Sequence, residues 1–191
     1  MAKQTPIILN TEISKLPFRC LAALAHRSLR RAEETMELVF EQRFRGKTKS
    51  HFDNVVDLLM QVRTCERGTT SASEIMPWSM YKSLEEVEDK LPASNPRRIV
   101  FIAARQATRL YGRKTNQVIG YTMELSDCLQ NRALARRLRF LIANAAFQDH
   151  ELLHAKLREG VIGEKTPIPD SLLGDLWRMP VDWTLFLPDQ K

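Results

Sequence analysis

Apolar residues recur at three- and four-residue steps from Phe18 to Phe44, through Leu21, Ala25, Leu29, Ala32, Met36 and Phe40. That spacing puts them on one face of a long amphipathic helix. Pro17 suits its first position, where the missing N–H costs nothing. Gly46 is the expected stop.

The same periodicity predicts further helices. Ser50 and Asp53 read as a variant capping box, with Phe52, Val55, Val56, Leu59 and Val62 on the core side. Arg67 to Thr70 reads as a connection. Ser71 and Glu74 have capping-box spacing, and Pro77 offers a restart before Met80, Leu84, Val87 and Leu91. The stretch from Pro92 to Pro96 is a break. Asn95 then caps a helix opened by Pro96, with Ile99, Ile102, Ala103, Ala107 and Leu110 inward and Gly112 as the stop. Between 115 and 128, Val118, Tyr121 and Leu125 suit a short helix that Gly120 weakens. A final long helix is expected from about Gln130 to Glu159, ending at Gly160, with Leu134, Leu138, Leu141, Ala145 and Leu152 on one face.

After Gly160 the character changes. Pro167, Pro169, Pro180 and Pro188 forbid a continuous helix, and Trp177 and Trp183 lie among them. Two tryptophans each bury a large area, so this tail reads as an extended strap against the helices. The expected fold is all-α. It is a single bundle of five or six helices with a lead-in over 1–15, a helical core over 16–160 and a Pro/Trp strap over 161–191.

Composition agrees with one globular domain: 191 residues, 43% hydrophobic and 27% charged. No apolar run approaches the roughly 20 residues that span a bilayer. Pro6-Ile7-Ile8-Leu9 is too short for a signal-peptide core. Cys20, Cys65 and Cys128 have no CxxC spacing and an odd count, so they read as reduced thiols in a cytoplasmic protein. The net charge of +6 is unevenly spread: about +5 over 1–50, −4 over 51–95, +8 over 96–145 and −3 over 146–191. Oppositely charged helices can neutralise each other within the fold, and the basic excess of 96–145 can face an acidic partner.

Three constellations could carry chemistry. The first is a HExxH string, His150-Glu151-Leu152-Leu153-His154. Histidines four apart on a helix can share a zinc ion, with the glutamate polarising its water. A third ligand is missing, however. No histidine follows His154, and Glu159 and Glu164 fall at a helix end and in a loop. Lys156 stands where zincins keep an apolar side chain. At about 100° per residue both histidines fall nearly opposite the expected Leu134–Leu138–Leu141–Leu152 stripe, which predicts two surface histidines.

The second pair is Arg19 and His26, one helix face apart by seven residues. The spacing resembles the Arg-x4–6-His motif of HEPN ribonucleases, which work as dimers. That resemblance implies His26 as general acid/base and Arg19 as a phosphate stabiliser. Cys20 departs from the polar residue those enzymes commonly carry after the arginine. The alternative is a boundary histidine near Glu33 or Glu37.

The third is a basic surface. Arg98, Arg105, Arg109 and Arg113 recur at helical steps, and Arg132, Arg136 and Arg139 repeat the pattern. Arginine suits bidentate contact with phosphate or carboxylate, so nucleic acid is one possible partner. No aromatic interleaving is legible, and internal pairing with Glu85-Glu86-Glu88-Asp89 is the alternative. No Gly-rich phosphate loop or nucleophile elbow is present, and no cofactor is expected.

Residues at both ends carry a broader likeness: Leu16-Pro17-x-Arg19, Arg27, Arg30-Arg31 and Phe40, then Asp149, Gly160, Ile168, Leu173-Gly174-x-Leu176-Trp177 and Trp183. The pattern resembles a group of uncharacterised bacterial all-helical proteins that begin with a long Arg-bearing helix and end in a Pro/Trp strap. It is more loosely similar to helical immunity proteins of bacterial toxin systems. Neither resemblance transfers a catalytic residue. Together these readings point to a non-enzymatic interaction module, an immunity or regulatory protein, that binds a protein partner with an acidic surface.

Overall fold

The computed structural model describes residues 13, 15–64, 78–108 and 112–187. Six helices carry the fold: α1 (Phe18–Phe40), α2 (Gly46–Thr64), α3 (Trp78–Glu88), α4 (Pro96–Ala107), α5 (Gly112–Glu124) and α6 (Arg132–Arg158). A 3-10 turn, Leu125–Cys128, joins α5 to α6. The strap adds a four-residue helix α7 (Asp170–Leu173) and a 3-10 turn, Trp183–Phe186. No strand occurs among the described residues, and the all-α bundle is as the periodicity predicts. No helix among them is long and apolar enough to cross a membrane.

α1 is the hub. It packs against α2, α4, α5 and α6, and most of its length is buried, including Cys20, Leu24, Leu29 and Met36. Burial pushes the Cys20 thiol up to about 12, so it stays protonated at neutral pH. Phe44, just past α1, stacks on Phe52 of α2 and Phe101 of α4, both at ring separations of 4.8 Å. This aromatic trio knits the elements together. A smaller core forms where Val39 meets Leu138, Ile142 and Phe186, with Trp177 and Trp183 packed edge to face beside it. The strap therefore buries its aromatics as expected, although it is not extended throughout.

Several boundaries differ from the sequence reading. α1 ends at Glu41, which takes the left-handed conformation at φ 52°, and not at Gly46. Gly46 and Gly112 open α2 and α5; neither terminates a helix. α2 begins before Ser50, so Ser50 is no cap, and Asp53 instead pairs with Lys49 at 3.0 Å. The stretch read as a doubtful short helix is the regular helix α5, in which Gly120 is accommodated. Arg67 to Pro77, with the Ser71/Glu74 box, lie outside the described residues, as do Cys65 and Leu110.

Asn95 caps α4 as the sequence predicts, and Asn131 caps α6. Asn95 Oδ1 accepts the Arg97 N–H at 2.9 Å, and Asn131 Oδ1 accepts from Ala133 at 2.9 Å. Each satisfies a backbone donor that the first helical turn leaves open. Asn95→Ala should lower unfolding free energy by about 1 kcal/mol, read as a shift in urea midpoint at unchanged m-value.

Candidate functional site

The dominant polar feature is buried. Asp149 of α6 is fully inaccessible, and Arg27 and Arg31 of α1 are 2% and 1% exposed. Arg27 Nε donates to Asp149 Oδ2 at 2.8 Å, and Arg31 Nη2 donates to the same oxygen. Arg178 of the strap donates to Asp149 Oδ1 at 3.1 Å. Three guanidiniums around one carboxylate leave positive charge in excess, and strap backbone supplies the remaining acceptors. Arg27 donates to the carbonyls of Gly174 and Asp175, and Arg31 Nε to that of Leu176 at 2.8 Å. Three successive carbonyls of an irregular segment thus find donors, and three buried donor groups find acceptors. Burial lowers the Arg31 pKa, partly countered by Asp149.

The strap geometry serves this cluster. Gly174 sits at φ 70°, which a side chain would strain, and Arg178 accepts φ 60° while reaching Asp149. Trp177 Nε1 donates to Glu34 at 2.8 Å, and the Arg31 guanidinium lies 5.9 Å from the Trp177 ring centroid. A second ion pair adjoins, with one partner buried and the other exposed. Arg63 of α2, fully buried, binds Asp170 at 2.6 Å. Burial pushes the Asp170 carboxyl up, but the Arg63 hydrogen bond and charge outweigh it and hold it below the usual carboxylate value. Arg63 O also accepts the Ile168 N–H at 2.7 Å, so the strap is tied to α2 as well.

The histidines differ from expectation. His150 is 4% exposed and lies inside the fold, whereas the sequence reading put it on a solvent face. α6 buries Leu138, Ile142, Ala146, Asp149 and Leu153, a stripe rotated roughly 70° from the expected one. The reason is Asp149. A wheel built on apolar residues turns a carboxylate outward, whereas its pairing with Arg27 and Arg31 turns it inward and brings His150 along. His154 is half-buried, with its ring 4.5 Å from that of His150. Among the described residues no group of three His, Cys, Asp or Glu is placed to hold a metal.

Arg19 and His26 are both buried, at 5% and 4% exposure. Burial, reinforced by Arg63 and then Arg30 and Arg27 against Asp170, lowers the His26 pKa to about 3. The ring is neutral at neutral pH, so no imidazolium is on hand to act as a general acid. Glu33 pairs instead with Arg30 at 2.7 Å.

The basic series divides. Arg105 is clamped by Glu85 at 2.7 Å and Glu88 at 2.9 Å and lies over the Tyr81 ring, the internal pairing weighed as the alternative. Arg98 Nη1 donates to Leu91 O at 2.9 Å. Arg109 and the Arg113 side chain lie outside the described residues. Arg132, Arg136 and Arg139 are exposed on the first turns of α6, beside Phe140, which is 50% exposed.

Asp149, Arg63, Asp170 and Arg178 were not singled out as site residues, because nothing local distinguishes a buried charge from a solvated one. Arg27, Arg31, Asp149, Gly174, Leu176 and Trp177, drawn from both ends of the chain, all meet in this cluster. No family model, curated protein sequence or solved structure matches the chain.

Two outcomes follow. Asp149→Asn strands buried guanidiniums and should cost about 3–5 kcal/mol in urea unfolding, with the strap becoming cleavable by protease under native conditions. For His26, the folded pKa lies below the ordinary 6.5, so the unfolded chain takes up the proton first. Its contribution is intact above about pH 6.5 and declines as pH falls toward 3, by up to about 1.4 kcal/mol per unit. His26→Gln should flatten the stability slope between pH 7 and 4.5 relative to the parent, measured by denaturant titration.

Proposed function

We propose that the chain is a non-catalytic helical interaction module that docks a protein partner with an acidic surface, in the manner of an immunity or regulatory protein. The observation that carries this reading is the free basic face at the start of α6. Among the described residues Arg132, Arg136 and Arg137 are exposed and make no ion pair, and Arg139 reaches only Asp127 at 3.4 Å. Phe140 stands among them, half-exposed. An arginine cluster around an aromatic is the composition that anchors interfaces, and unpaired charge steers an oppositely charged partner.

The placement of the titratable groups supports a non-catalytic role. Arg27, Arg31, Arg63 and Asp149 are engaged by one another, by Asp170 and by backbone, and His26 is held neutral. A second reading rests on Phe140 itself. Flanked by arginines, it could stack a base of single-stranded nucleic acid.

Replacing Phe140 by a benzoylphenylalanine photo-crosslinker in the native host tests both. The expected product is one acidic protein adduct, lost with Arg132→Glu/Arg136→Glu and weakened by salt. An RNA or DNA adduct instead would select the second reading. No adduct above background would sink both.

A further inference from the structure

A cavity of about 500 Å³ opens between α1, α2 and the strap, away from the α6 face. Its wall includes His26 and Arg30 of α1, Asp57 and Met60 of α2, and Asp175 and Leu176 of the strap. Ligand pockets for small molecules typically span about 300–1,000 Å³, so the space suits an amino acid or a dipeptide.

The polar groups are segregated by charge. Asp57 and Asp175 are exposed and form no ion pair among the described residues. Asp170 also lines the space, but its charge is engaged by Arg63 at 2.6 Å and approached by Arg27 at 3.6 Å. On the α1 side the charge is reversed. Arg30 is half-exposed and pairs through Nη1 with Glu33 at 2.7 Å, and Arg63, Arg30 and Arg27, opposed by Asp170, set a positive field at His26. His26 is nearly inaccessible, and its Nδ1 atom has no hydrogen-bond partner among the described residues. A buried imidazole nitrogen without a partner carries a desolvation penalty that a ligand group can recover.

A simple anion would meet repulsion from Asp57 and Asp175. A simple cation would meet the arginine field. A metal ion lacks a three-donor set among the described residues. Separated charges on one small molecule satisfy both sides.

We propose that this cavity binds an amino-acid-like zwitterion, its ammonium held by Asp57 and Asp175 and its carboxylate by Arg30 and the His26 imidazole. Val56, Met60 and Leu176 line the remainder and take an apolar side chain. The neutral ring donates one N–H, so it binds carboxylate without adding a charge to the crowded arginine side. The inference is independent of the docking role of α6.

The test uses the full chain and the common L-amino acids, each at about 5 mM, read by saturation-transfer NMR and thermal shift. One or a few should bind saturably, and the matching des-amino acid and decarboxylated amine should bind at least about tenfold more weakly. Asp57→Asn with Asp175→Asn should weaken that binding by at least about tenfold while leaving the unfolding midpoint of the free chain unchanged, as both side chains are exposed. His26→Phe should weaken it too. Absence of saturable binding by every amino acid overturns the proposal. So does equal binding of the single-charge analogues, or full affinity in the double variant.

Discussion

Burying a carboxylate is costly unless donors meet it, and Asp149 meets three. Two come from α1 and one from the strap, so the ion cluster fixes how α6, α1 and the strap lie against one another. The strap in turn has no ladder of its own for its carbonyls. Gly174, Asp175 and Leu176 are satisfied because Arg27 and Arg31 are held there by Asp149. Removing any member leaves the others unmatched. This reciprocity explains how a Pro-rich tail adopts one path across a helical bundle.

The same cluster reassigns the motifs that look chemical in the sequence. Asp149 rotates α6 inward and takes His150 with it, so half of the HExxH string becomes interior packing. Burial and then the Arg63 charge hold His26 neutral, against the pull of Asp170. Part of the basic block between 96 and 145 is likewise internal, because Arg105 neutralises Glu85 and Glu88 across the α3–α4 contact. Along the first half of α6, by contrast, Arg132, Arg136, Arg137, Arg139 and Phe140 are exposed.

Local signals were legible where the cause is local. Asn95 before Pro96 marks a helix start because an amide oxygen and a fixed φ act within one turn. Gly160 marks the end of α6 for a similar local reason, its φ of 71°. Glycine was ambiguous. Gly46 and Gly112 read equally as stops or starts, and the structure uses both as starts while Glu41 absorbs the left-handed turn. The α6 arginines were visible as a series, yet their freedom was not, since Arg98 and Arg105 share the same spacing and are engaged.

The sequence by itself determined that this chain is helical, where several helices begin, and that its tail must pack as a broken strap. Periodicity, caps and prolines act over a few residues, so one chain suffices to read them. The tertiary structure decided which charges lie inside and which face of α6 is buried. Arg27 and Asp149 are 122 residues apart, and neither has a local reason to be buried. The cost of desolvating each is offset only by the other, a balance that exists once the chain has brought them together.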